Sequence, residues 1–211
     1  MGLPEIFISF QTAAVSAITR SARGVLAVAV KDATAGGAAE AAYKSLAEVP
    51  EDKFSPENYR LLKLAFLAAP SQVWVLRVGE DAEKTYQALE RLRFDWLAAP
   101  GLEDARVMSF IKTLRNGGRG VKAVVANATA PDCEGIVNLC VSGLTLEDGA
   151  VEAKDYAVRV AALLAALPPT RSATYANLPE VVGCDALAEP DADVDAGKLI
   201  IVPGREGYRL G

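Results

Sequence analysis

Histidine is absent from this chain, and the candidate chemistry falls to carboxylates and thiols placed near expected strand ends. Histidine is the usual general base near neutral pH and the commonest metal ligand. Without it no Ser-His-Asp or Cys-His relay can form, and zinc has no imidazole ligand. The acids gather after three expected strands: Glu80 and Asp81 behind Gly79, Glu103 and Asp104 behind Pro100-Gly101, and Asp132 and Glu134 beyond Asn127. In an open parallel sheet, ligands sit beyond the carboxyl ends of the strands. An enzyme built this way would act there on a small phosphorylated or metal-bound substrate. A phosphate site, however, wants glycines and free N–H groups without so much negative charge. Helix N-caps explain most of these carboxylates.

The other motifs weaken in the same way. Gly117-Gly118-Arg119-Gly120 leads from a helix into a strand, whereas a dinucleotide fingerprint leads from a strand into a helix. It is read as a turn. Asp191, Asp193 and Asp195 resemble a calcium loop. Ala196 stands where that loop needs glycine, and Val202 stands where it needs the bidentate glutamate, so a capped turn is expected. Cys133 lies between Asp132 and Glu134, and flanking carboxylates disfavour a thiolate nucleophile. Cys133, Cys140 and Cys184 show no CxxC spacing and read as small apolar residues. Reduced thiols suit a cytoplasmic origin. No catalytic, cofactor-binding or metal site is therefore assigned.

The bulk properties bound the rest. The 211 residues fit one large domain or two small ones, and 51% of them are hydrophobic, enough for a sizeable core. A net charge of −5 with scattered basic residues argues against a nucleic-acid surface. The opening MGLPEIFISF lacks a basic n-region and a small-residue cleavage site. Ile6 stands where myristoylation wants serine or threonine. No apolar run reaches the ~18 residues of a membrane span.

These candidates must be positioned by an α/β scaffold. Strands are expected at 25–31, 72–78, 95–99 and 121–126. Between them lie helices from Pro56 to about Ala68, capped by Ser55, from Ala82 to Leu92, capped by Asp81, and from Glu103 to Asn116. In the last of these, Val107, Phe110, Ile111 and Leu114 share one face. Residues 32–42 read as a loop broken by Gly36-Gly37. The β-α-β-α-β order predicts a mainly parallel sheet with right-handed crossovers, flanked by helices. Later come a strand at 136–141 of uncertain direction, an amphipathic helix at 153–167, a strand at 198–202 and its hairpin partner at 207–210.

The N-terminal segment alternates Ile6, Ile8 and Phe10 with Phe7, Ser9 and Gln11, and Pro4 precedes it. Proline cannot donate to a ladder, so an edge strand or an arm is expected. Fully extended, residues 3–10 reach at most ~26–29 Å, enough to add a strand to a neighbour's sheet. From alternation alone, the first strand of its own domain is an equal alternative.

Seven segments, in order, resemble phage tail sheath proteins of the compact type found in contractile tails and PBSX-like defective prophages. They are GLPEIFISF (2–10), SARG (21–24), VPEDKFSPENYRLLKLAFLAAPSQVWVLR (49–77), FDWLAAPG (94–101), KAVVANATAPDCEGIVN (122–138), ALPPTRSATYANLPEV (166–181) and PDADVDAGKLIIV (190–202). The resemblance implies a structural, non-enzymatic subunit without cofactor. Such subunits polymerise around a tail tube and contract to drive it through the host envelope. It implies self-association, tube and baseplate partners, no nucleic acid and no membrane, and a place in the virion tail after assembly in the host cytoplasm. It tips residues 1–22 towards an intersubunit arm, with Leu3, Ile6, Phe7, Ile8 and Phe10 as the strand-adding residues. Residues 23–211 become the α/β core, with a sub-boundary near 50. Family members continue beyond the position of Gly211 into a further domain. The resemblance thus implies a truncated chain, monomeric or weakly associated.

Overall fold

The computed structural model describes residues 24–127, 129, 133–168, 170–205 and 207–211. The N-terminal segment with Leu3, Ile6, Phe7, Ile8 and Phe10 lies outside them, as does Asp132.

The centre is a parallel sheet of β1 (Val25–Val30), β3 (Gln72–Arg77), β4 (Trp96–Ala98) and β5 (Lys122–Ala126), with β2 (Glu40–Tyr43) antiparallel on the edge beside β3. The spatial order is β2-β3-β1-β4-β5, continuing through β6 (Ile136–Cys140), β11 (Lys198–Pro203), β12 (Tyr208–Leu210) and β9 (Asn177–Leu178). β1 is apolar throughout and buried from Leu26 to Val30, as expected for a strand covered on both faces.

From β1 the chain moves one way to β3, then steps back over β1 to β4. Right-handed crossovers then force the helices onto opposite faces. α1 (Pro56–Leu67) and α4 (Ala153–Ala166) pack on one face, with Leu26, Leu62, Val75 and Tyr156 in their core. α2 (Ala82–Arg91) and α3 (Asp104–Asn116) pack on the other, with Leu76, Leu89, Leu97 and Ile111 between them and the sheet. A second sheet joins β7 (Thr145–Leu146), β8 (Gly149–Ala150) and β10 (Val181–Gly183).

The caps follow the sequence. Ser55 accepts from the Asn58 N–H with Pro56 just inside α1, and Asp81 accepts from the Glu83 N–H at the start of α2. Gly117 closes α3, and Gly118, at φ 85°, turns the chain into β5.

Two expectations change and one open reading is settled. The expected loop at 32–42 contains β2, which exists because residues 40–43 complete the ladder of β3. β6, whose direction was open, is parallel to β5 despite the short connection of 127–135, and the Ala123 N–H bonds to the Gly135 carbonyl. The Asp191-Asp193-Asp195 segment is a short helix, α5 (Pro190–Asp195), rather than a turn, and Asp193 holds Lys198 at 2.6 Å.

Candidate functional site

Two of the acids expected at the strand ends, Glu80 and Glu103, border a cleft of about 740 Å³ at the carboxyl ends of β1, β3 and β4. Gly79 and Glu80 follow β3, Gly101 and Glu103 follow β4, and Lys31 and Asp32 follow β1. Gly101 has a steric reason: a Cβ there would come within 2.7 Å of the Lys31 nitrogen. α2 and α3 aim their N-termini at this end, which accounts for acids in their first turns.

Other acids of these strand ends and helix starts are engaged singly. Asp81 is spent as the cap of α2. Asp104 lies 3.6 Å from the Lys154 ammonium, and Glu134 pairs with Arg115 on the far side of β5. Glu83 is bound by Arg106 at 2.7 Å, and the same guanidinium lies 5.1 Å from the Tyr86 ring centre. Burial raises the Tyr86 phenol above its ordinary value, so it stays neutral. Asn127 stands at φ 49°, and its side-chain amide brackets Val141 by donating to its carbonyl and accepting from its N–H. That is a clasp between β5 and β6. Among the described residues, no group of three or more Cys, Asp or Glu is placed to hold a metal ion. Cys133, Cys140 and Cys184 are half-buried free thiols, and burial, then the neighbouring Asp185, raises Cys184.

Two buried polar clusters escaped the sequence reading. The first is Asp32, whose side chain is 0% exposed. It accepts from the Thr34 N–H at 2.8 Å, the Ser55 N–H at 3.0 Å and the Asn58 amide at 2.8 Å, with Arg77 at 3.5 Å. Burial pushes its pKa up, but these donors outweigh it and hold the carboxyl at about 2. All its capacity is used in tying β1 to α1, and none is left for a substrate. Arg77 also donates to the carbonyls of Thr34 and Lys53 and stacks on Phe54 at 4.8 Å.

The second cluster is Tyr156–Glu180–Arg159. One Glu180 oxygen accepts from the Tyr156 hydroxyl and from Arg159 Nε, both at 2.7 Å. Tyr156 is raised by burial and by the adjoining carboxylate. Glu180 Oε2 and Arg159 Nη1 are buried without a partner among the described residues. The cluster locks α4 to the turn between β9 and β10. Residues 21 and 24 apart form it, a spacing that carries no local periodicity, so only the fold selects the partners.

Among the described residues the arrangement positions side chains and brings together no relay of base and nucleophile. Its surface is more informative. Leu67, Tyr175, Val182 and Val194 are large apolar side chains left exposed. Among the described residues, no helix is long and apolar enough to cross a membrane.

Comparisons with known proteins point the same way. No family model matches the chain. It is 33% identical, over 95% of its length, to the tail sheath protein of Clostridium phage phiCD119, and it spans 59% of that relative's length. The fold is shared with the sheath tail protein of Listeria innocua, at TM-score 0.76 and 15% identity over 92% of this chain and 71% of that one. The sheath tail protein of Desulfitobacterium hafniense gives 0.75 at 15% identity, over 99% and 74%. The contracted helical sheath of the anti-feeding prophage gives 0.68 at 11% identity, over 100% and 67%.

Proposed function

From its kinship with tail sheath proteins, we infer that this chain is a structural subunit of a contractile phage or phage-like tail. The subunits polymerise around a tail tube and contract to drive it through the host envelope. The observation that carries this is the 33% identity running along 95% of the chain. The sheath fold of the described residues supports it. So does the strand-end cleft, where Asp32 is consumed by buried donors.

On this reading the work is mechanical. A polymer with two packings of one subunit needs stiff bodies and adjustable contacts between them. The doubly covered sheet supplies the stiff body. Residues Leu3, Ile6, Phe7, Ile8 and Phe10 supply an arm that adds a strand to a neighbouring subunit. Tail tube and baseplate proteins are the other partners, and the virion tail is the location.

Immunogold labelling of tails from the strain that carries this gene tests the reading. Antibody against this chain is expected along the whole sheath, extended or contracted. Label confined to capsid, tube or cell debris would overturn it.

A further inference from the structure

The stripe Arg60, Lys63, Leu64 and Leu67 recurs at i, i+3, i+4 and i+7 along α1, so it forms one face of that helix. This face does not meet the sheet. It borders a groove of about 260 Å³ whose far wall is Leu146, Glu147, Asp148 and Glu180. Leu64 and Leu146 make a buried apolar floor, and Leu67 is 58% exposed at one end. The other end is closed. Arg60 donates to the Asp148 carboxylate at 2.8 Å and to the Gly149 and Ala150 carbonyls at 2.9 and 2.8 Å. Below the ~300 Å³ usual for small-molecule sites, the groove suits peptide side chains better than a cofactor.

The open end lies next to where the described chain begins. Gly24 is pinned by its N–H to the Ala165 carbonyl, and its own carbonyl accepts from the Ser71 N–H at 3.2 Å. Ser71 is four residues from Leu67, at most ~14 Å along the chain. Residues 11–23 separate Gly24 from the apolar segment Leu3–Phe10 and can span up to ~45 Å. A tether of that reach holds the segment near the groove at an effective concentration around millimolar. The chemistry also matches. Ile6, Ile8 and Phe10 alternate in the sequence, and Leu64, Leu67 and Leu146 present an apolar surface of matching chemistry. Glu5 is the segment's one charge, and Lys63 on the stripe opposes it. Glu180 stands on the far wall of the groove.

We propose that in the free subunit the segment Leu3–Phe10 folds back into this groove of its own chain. Docking there hides the apolar segment until a neighbouring subunit draws it out. The proposal concerns the free chain and stands whether or not the chain builds a sheath.

The test uses the full chain with Cys133, Cys140 and Cys184 changed to serine. Ile8→Cys is paired with Leu67→Cys, and separately with Lys112→Cys on α3, across the sheet. Under dilute oxidation the first pair is expected to close an intramolecular disulfide at least 10-fold faster than the second, at a rate independent of protein concentration. Equal rates, or cross-links appearing only between chains, would overturn the proposal. Hydrogen exchange supplies a readout without cysteines. Amides of residues 3–10 should exchange at least 10-fold faster in Leu67→Glu than in the unaltered chain, and unchanged exchange would overturn it as well.

Discussion

The two halves of the molecule share one apolar core, but the second leans on polar clasps as well. From β1 to β5 the chain is a doubly covered parallel sheet, closed by apolar side chains such as Leu26, Leu62, Leu89, Leu97 and Ile111, each at most 4% exposed. From β6 onwards the strands are short, the second sheet has two- and three-residue strands, and polar clasps do much of the joining. Asn127 brackets Val141, Arg60 grips the β7–β8 turn, and Arg159 with Glu180 and Tyr156 locks α4 to the turn before β10. Apolar burial is non-directional and tolerates small shifts, whereas a buried charged clasp fixes one geometry and is costly when broken. A rigid body with a specifically latched flank suits a subunit that must keep its fold while its neighbours move.

Breaking one partner of the buried pair gives the largest effect expected. Arg159→Ala leaves the Glu180 carboxylate buried and uncompensated, which costs about 3–5 kcal/mol, or roughly 10 °C of melting temperature in a chain of this size. Adding Glu180→Gln to Arg159→Met should restore most of that loss. Leu26→Ala in the other half costs about 2–5 kcal/mol through the cavity it leaves, and no second polar change rescues it. Calorimetry of these variants separates the two modes; a full rescue of both, or of neither, would erase the contrast.

Asp32 sharpens the comparison, because it is a polar clasp inside the apolar half. Its carboxyl falls from an ordinary 3.8 to about 2 on folding. A depressed acid stabilises the fold above its unfolded pKa, and that contribution is lost as pH falls from about 4 through 2. At ~1.4 kcal/mol per pKa unit the contribution is on the order of 2 kcal/mol at neutral pH. Asp32→Asn should therefore destabilise by about that much at pH 7 and by far less near pH 2, as read by urea unfolding at the two pH values. An equal loss at both would mean that the side chain acts through shape and not through charge.

Smaller effects test local elements. Ser55→Ala removes the α1 cap and should cost about 1 kcal/mol. Asp148→Ala loosens the Arg60 grip. Asp148 is 55% exposed, so the loss should stay within about 1 kcal/mol in low-salt melts.

The same division explains what could be read from the residues alone. In the first half, caps such as Ser55-Pro56 and the 3.6-residue stripe on α3 are local signals, and the parallel order follows from them. β2 was missed because Gly36-Gly37 and alanines carry no strand signal, and its pairing with β3 is decided in three dimensions. The β7–β8 hairpin was missed because two-residue strands show no period. The residues of 153–167 predict an amphipathic helix with one apolar face. α4 is instead buried nearly all round between α1, the sheet and the β9–β10 turn, so the Arg159 charge turns inward to Glu180. Of the strand-end acids, Asp81 is claimed by a helix start and Asp104 and Glu134 by cations, each singly. The resemblance to tail sheath proteins drew on both halves, since distinctive runs such as 49–77 and 166–181 lie on either side of the division.

Helical reconstruction by cryo-electron microscopy of contractile tails from the strain carrying this gene tests the sheath role most directly. The nine-stranded sheet with α1 and α4 on one face and α2 and α3 on the other should repeat around the tube in the sheath wall, unchanged internally between extended and contracted tails. A sheath wall built from a different fold, with this chain absent from the tail, would contradict it.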